Sequence, residues 1–402
     1  MYDLTDPLTY IGTDVNAMWR WFRENEPVYR HPAGPRGPEF WAVCRHADVM
    51  AVYRDNERFT SERGNVLTTL LQGGDSAAGR MLAVTDGHRH REIRKLMLRS
   101  FSPRVVGRMR DAARERTAGL FARAMEQERF DFATEIVDHV PINTMGDLMG
   151  VPDADRAQLV AWNTETLGSR DGGGTEFDEI LARNEILLYF QDLAAHRRRT
   201  PGEDVISALA TGTIDGEPLT DEEIVLNCYS LILGGDESSR LSATGALVAL
   251  AEHPEQWRAL KDGTAGLDSA VEEVLRWTTP AMHFGRRAIV DVTIGDQFVR
   301  AGDIVTLWNI SANFDEEAFP EPGRFDLART PNRHLTFGYG PHFCIGAFLG
   351  RAHVEAVLEG LRDQVAEFRL AGEPRQIHSN FVYGHINLPV ELTPLRTKEN
   401  LR

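Results

Sequence analysis

Cys344 stands alone in the glycine-rich run Phe-Gly-Tyr-Gly-Pro-His-Phe-Cys-Ile-Gly from Phe337 to Gly346, and an isolated thiol in such a setting can serve as a nucleophile or as a metal ligand. Glycines at 338, 340 and 346 let the backbone come close to a flat partner. Helix-compatible sequence follows through Leu361, so the thiol sits just before a helix start, where free N–H groups should favour the thiolate over the thiol. An anionic metal ligand needs that. A nucleophile needs a paired base, and the one histidine at hand, His342, lies two residues earlier on the opposite side of an extended chain. The other cysteines read as packing residues: Cys44 adjoins the strand-like Phe40 to Val43, and Cys228 sits mid-helix among Leu226, Leu231 and Leu233. Three widely spaced cysteines without a Cys-x-x-Cys pair exclude a disulfide framework and an ordinary structural zinc site.

A second unusual segment is Gly234-Gly235-Asp236-Glu237-Ser238-Ser239. It falls inside what reads as one long helix, opened by a capping box at Thr220 and Glu223 and closed at His253-Pro254, about 50 Å in all. Each interior glycine costs about 1 kcal/mol relative to alanine, and acids and hydroxyls are placed in an otherwise apolar element. Broken local rules of this kind often mark a functional site, although a kink or a small-residue helix crossing would produce the same pattern.

Phe337, Gly338, Gly340, His342, Cys344, Gly346 and Arg351 resemble, position by position, the haem-binding loop of the cytochrome P450 superfamily. The resemblance extends in order from about Trp41 to Leu392 and implies haem b with Cys344 as the axial iron ligand, cradled by Phe337, Gly338, His342 and Gly346. It also implies that His90 and Arg94, an i and i+4 pair, bind the haem propionates together with Arg286, while Arg287 points away as strand alternation requires. Glu273-x-x-Arg276 is similar to the family's Glu-x-x-Arg helix, and the resemblance pairs it with Arg324 in a buried network that supports the loop. On the long helix it assigns Gly234 and Gly235 to a groove for dioxygen, Glu237 to a proton relay, and Ser238 to holding water or an oxygen-derived species. Two positions depart from the family: Gly234 stands where alanine is usual and Ser238 where threonine is usual. Serine keeps the hydroxyl without the methyl that fixes χ1, so looser proton delivery is expected.

The implied activity is insertion of one oxygen atom from O2 into a small, largely apolar molecule, in secondary metabolism, driven by electrons from a separate ferredoxin and ferredoxin reductase. Peroxide-driven or other haem-thiolate chemistry is an alternative, and a haem sensor without turnover is another. By alignment, Leu67, Ala281, Met282, Phe284, Phe381 and Val382 should line the substrate space, with polar contacts from His283, Tyr383 or His385. Arg89, Arg91, Lys95 and Arg99 could form a basic patch for an acidic ferredoxin.

Positioning these groups calls for a mainly α fold with a small β region, in the family a triangular prism of helices around haem, and one domain over residues 1–402. Helical periodicity dominates from about Pro103 to Leu275, including Arg104 to Glu126 and Phe177 to Arg199. Strand-like alternation marks Phe40 to Val43, Ala288 to Ile294, Asp303 to Asn309 and Leu388 to Leu392. The formal net charge of -16 argues against a nucleic-acid binder. Neither a signal peptide nor a spanning segment is legible, so a cytoplasmic monomer with no membrane partner is expected.

Overall fold

Amphipathic spacing becomes helix throughout the middle of the chain in the computed structural model, which describes residues 2–166 and 175–395. The helices that bear on the site are α1 (Gly87–Leu98), α2 (Pro103–Ala124), α3 (His139–Met149), α4 (Asp153–Thr166), α5 (Glu176–Arg199), α6 (Asp221–Gly235), α7 (Glu237–Glu252), α8 (Leu267–Thr278) and α9 (Ala347–Gln364). Their starts follow from local chemistry. Ser102 accepts from the Val105 N–H ahead of Pro103, and capping boxes at Thr175/Asp178 and Thr220/Glu223 open α5 and α6.

The helix expected from Thr220 to His253 is two helices, because the backbone breaks at Asp236 (φ -91°, ψ -74°). Asn163 of α4 donates to Asp236 Oδ2 at 2.9 Å across the break. The two glycines before it do different things. A Cβ on Gly235 would sit 2.7 Å from Met145 Sδ, so this residue lets α3 pack closely, whereas a Cβ on Gly234 would meet no atom within 4 Å. The groove expected at both glycines is therefore confined to Gly234.

Helix α9 joins two apolar clusters. Val354, Val357, Leu358 and Leu361 pack with α2, α7 and α8, while Leu349 in its first turn and Ile345 just before it pack with Cys228, Leu231 and Ile232 of α6 and with α1, α3 and α5. Each fully buried side chain of this kind contributes about 1.5–3 kcal/mol. Cys44 and Cys228 are fully buried and act as packing residues.

A five-stranded sheet combines β1 (Val28–His31), β2 (Phe40–Val43), β3 (Phe59–Thr60), β4 (His283–Ala288) and β5 (Ile304–Trp308) in the order β1-β2-β5-β4-β3. β5 is parallel to β2, with Val305 opposite Trp41, and antiparallel to β4, with Val305 opposite Arg286. The run expected as one strand from Ala288 to Ile294 divides, since β4 ends at Ala288 and Val292–Ile294 forms a separate hairpin with Gln297–Val299. Pro389–Pro394 pairs with Val365–Leu370 in a second small sheet.

Two neighbouring glutamates of α8 hold the far side of the molecule. Glu273, fully buried, accepts both Arg276 Nε and Nη2 at 2.8 Å. The arginine completing this network is Arg329, not Arg324: Arg329 Nε lies 3.1 and 3.2 Å from the Glu273 oxygens, while the Arg324 side chain is 60% exposed beside Glu321. Arg324 contributes its carbonyl oxygen instead, accepting from Arg329 at 2.7 Å and Arg276 at 3.4 Å. Asn332 also donates to Glu273, at 3.0 Å. Glu272, one residue earlier, accepts Arg351 of α9 through both oxygens (2.6 and 3.0 Å), with His334 at 3.2 Å. Burial pushes the Glu272 carboxyl up, yet hydrogen bonds from His334 and Arg351 outweigh it and bring it from 4.5 to about 2.

Arg329→Ala, which strands the Glu273 charge, should cost about 3–5 kcal/mol in chemical unfolding, and Arg324→Ala should stay within about 0.5 kcal/mol. Equal losses would refute this division. The unfolded chain protonates Glu272 before the folded one does, so its contribution is complete above pH 4.5 and disappears as pH falls toward about 2. Glu272→Gln should therefore be less stable than wild type at neutral pH and converge with it over that window in pH-dependent denaturation.

Candidate active site

The loop before α9 is shaped by its glycines. Gly338 and Gly340 adopt left-handed conformations (φ +67° and +71°), and a Cβ on Gly340 would sit 2.6 Å from the Tyr53 carbonyl oxygen. Gly346 is not left-handed; its N–H reaches the Cys344 sulfur, and a Cβ there would lie 4.0 Å from it. The turn is fastened by the Cys344 N–H donating to Phe337 O at 2.9 Å and the Gly338 N–H donating to Leu335 O at 2.8 Å. Beneath it, the Arg351 guanidinium lies 4.6 Å from the centre of the Phe337 ring.

Cys344 is the one cysteine of the three left uncovered, although protein surrounds it. Burial pushes its thiol up, and the Gly346 N–H, Arg94 and Arg351 offset this only in part. The expected thiolate-favouring effect of the helix start is thus outweighed by desolvation. A cation in contact with sulfur overcomes that cost, because it takes the place of the proton.

His90, Arg94, Arg286 and His342, separate in sequence, come together beside this sulfur. His90 on α1 is buried with its ring 4.3 Å from that of His342, and burial, then His342 and Arg94, hold it down to about 4. His342 Nε2 is 2.7 Å from Asp86 Oδ1, so its ring is engaged by a carboxylate and not by Cys344. Asp86 is lowered to about 2: burial raises it, but hydrogen bonds from His342, Thr60 and the Ser61 N–H prevail. Arg286 on β4 is buried with its guanidinium 5.4 Å from the centre of the Tyr53 ring and Nη1 donating to Gly285 O at 2.7 Å. Arg287 is half-buried on the alternate side of the strand. Among the described residues, neither Arg286 nor half-buried Arg94 has a carboxylate within ion-pair distance. Arg286, buried without a counter-ion, favours an anion beside it, and half-buried Arg94 can add to the same charge. A flat iron macrocycle with two carboxylate arms fits this set: a reachable sulfur, glycines that allow close approach, and cations for the arms.

At the break between α6 and α7, the Ser238 hydroxyl donates to Gly234 O at 3.1 Å. Glu237 is buried and accepts Arg240 Nη1 at 3.1 Å. Asp86, Arg240 and Arg329 were not singled out from the sequence, and Asp236 only as part of the unusual segment of the long helix. Asp236 and Arg240 had a legible i, i+4 spacing, while Asp86 and Arg329 are tied to partners distant in the chain.

Of the expected substrate-lining residues, four come together. Ala281 bridges Val382, and the Phe284 and Phe381 rings are 5.8 Å apart. Leu67 and Met282 are fully buried in the cluster beneath the N-terminal region, packed with Trp19, Phe40 and Trp308. Ala281 and Met282 are consecutive in extended chain, so they face opposite ways. His283 is likewise fully buried, its ring 4.4 Å from Trp308, with burial lowering it to about 3. Arg89 forms an ion pair with Glu223 at the start of α6, and so leaves the basic patch expected on α1. Among the described residues no helix is long and apolar enough to cross a membrane.

Comparison with known proteins gives a consistent answer. The family model described as Cytochrome P450 matches residues 266–371. The chain is 44% identical over 391 residues to cytochrome P450 NovI of Streptomyces niveus, covering 97% of this chain and 96% of that protein. It is 32% identical over 381 residues to a steroid C26-monooxygenase of Mycolicibacterium smegmatis, covering 92% and 89%. In three dimensions it resembles P450 OxyD, which is involved in the biosynthesis of vancomycin-type antibiotics, with a TM-score of 0.89, 34% identity, and coverage of 98% of this chain and all of that one.

Proposed function

The chain belongs to the cytochrome P450 family and is a haem b monooxygenase acting on O2 and an organic substrate; from that premise we propose that Cys344 would ligate the haem iron, that His90, Arg94 and Arg286 would hold the propionates, and that His342 belongs to the loop that would cradle the ring. The observation that carries this reading is the pair of unbalanced guanidiniums, Arg94 and Arg286, flanking His342 next to an uncovered cysteine. Phe337, Gly338 and Gly346 shape the loop, and the Gly346 N–H stabilises charge on sulfur. When bound, the haem supplies the activation of dioxygen. The protein supplies protons, orientation and exclusion of water.

Glu237 relays protons on the distal side, and Ser238 orients water with its hydroxyl, which in this structure is directed back to Gly234 O. Gly234, which has room where a side chain would stand, leaves space beside the helix for dioxygen. Gly235 supports this arrangement by letting α3 approach. Ala281, Phe284, Phe381 and Val382 form an apolar wall, suited to a largely hydrophobic or aromatic substrate. The likeness to OxyD supports a place in secondary metabolism.

Electrons come from a separate ferredoxin and its reductase. Arg91 and Lys95 lie one turn apart on the exposed face of α1, with exposed Arg99 following, and offer a basic strip to an acidic donor.

The test of the whole reading is the absorbance spectrum of the dithionite-reduced protein under carbon monoxide. A strongly red-shifted Soret band should appear and be lost in Cys344→Ala; the same band without the cysteine would overturn the assignment. For the donor site, Arg91→Glu combined with Lys95→Glu should slow reduction by a plant-type ferredoxin at low salt by at least about tenfold. An unchanged rate would remove this face from consideration.

A further inference from the structure

Arg240 ties three carboxylates together behind the break in the distal helix. Its side chain is 3% exposed; Nε donates to Asp138 Oδ1 at 2.7 Å, and Nη1 donates to Glu237 Oε2 at 3.1 Å and Asp236 Oδ2 at 3.2 Å. Asp138 belongs to another part of the fold, directly preceding α3, and is 19% exposed at its side chain. Asp236 is also held from outside its helix, by Asn163 of α4. The guanidinium is therefore tied to an element outside α6 and α7, and Glu237 is tied to the guanidinium.

We propose that Arg240 is the positioning residue for proton delivery: it sets where the Glu237 carboxylate rests, and its anchor on Asp138 makes that position independent of the distal helix. This rests on the reading of Glu237 as the proton relay. Arginine stays charged and cannot pass the proton itself, so its part is to hold and orient. The need for such a latch follows from Ser238. Without a β-methyl its χ1 is free, and its hydroxyl turns to Gly234 O, so geometric control rests on the carboxylate. Planarity matters as well, since one guanidinium must address Asp138 through Nε and the two helix acids through Nη1. A lysine can satisfy part of that set but not all of it at once.

The experiment compares wild type, Arg240→Lys, Arg240→Gln, Asp138→Asn and Glu237→Gln as haem-loaded proteins, reduced by NADPH through plant ferredoxin and its reductase. It measures the partition of consumed O2 between peroxide and water, together with the solvent deuterium isotope effect. Crystal structures of wild type and Arg240→Gln give the Glu237 side-chain conformation directly. Glu237→Gln should slow the water-forming route by about 10²-fold, as loss of an acid–base group does. Arg240→Gln should slow it by about tenfold, raise the isotope effect and show Glu237 displaced; Arg240→Lys should recover part of the loss, and Asp138→Asn should reproduce the direction of Arg240→Gln at unchanged haem content. If Glu237→Gln has its effect while Arg240→Lys and Asp138→Asn both match wild type in partition and isotope effect, the latch is refuted and the relay stands. If Glu237→Gln itself changes neither quantity, the relay reading falls, and this inference with it. Should Arg240→Gln fail to fold, the Lys and Asp138→Asn variants decide the matter.

Discussion

Two adjacent carboxylates on one helix fix the cysteine loop at both ends. Consecutive residues on α8 point about 100° apart, so Glu272 and Glu273 serve different neighbours. Glu273 takes Arg329 and Asn332 from the chain leading into the loop, and Glu272 takes Arg351 from the helix leading out. Between them the Thr336 hydroxyl donates to Leu275 O at 2.8 Å on the same helix. Leu335 to Gly346 is thus tied at both ends to one helix, with Asn313 and Asp86 holding Leu335 and His342 separately. The position of Cys344 is set by ion pairs some residues away on either side as well as by the hydrogen bonds of its own turn.

This arrangement separates holding the loop from charging the sulfur. Desolvation opposes a bare thiolate, and the helix start does not overcome it. On the proposed assignment of Cys344, the binding energy of the metal carries the cost of ionising the sulfur. Arg286, and to a lesser degree half-buried Arg94, is held where an anion gains by pairing. Haem should accordingly stabilise the fold well beyond the contacts of its ring.

What could be read from the sequence follows the range of the interactions. The cysteine loop, the capping boxes and the Glu273–Arg276 pair are local, and the spacing alone places them. Arg329 could not be told from Arg324, since the segment between α8 and the loop has no periodicity and five residues separate the two candidates. Met282 and Leu67 look like pocket residues by type, and only strand direction and the packing of the N-terminal cluster turn them inward. The break at Asp236 was hidden for a similar reason: both ends of the long helix carry clear signals, and the group that stabilises the interruption, Asn163, comes from α4. Arg240 carries no local signal beyond its spacing from Asp236, and its partner Asp138 comes from the segment just before α3.

The five-stranded sheet bears on how the protein is made. β2 lies between β1, its neighbour in sequence, and β5, more than half the chain further on. During synthesis the hairpin of Val28 to Val43 must wait for Ile304–Trp308 before its second edge is satisfied, with Phe40 and Trp41 lacking their final cover meanwhile. Pairings of such high sequence separation are slow to form and leave an open strand edge as a site for wrong association. The strand that carries Arg286 enters the same sheet beside β5, so the placing of this arginine is coupled to the same long-range pairing.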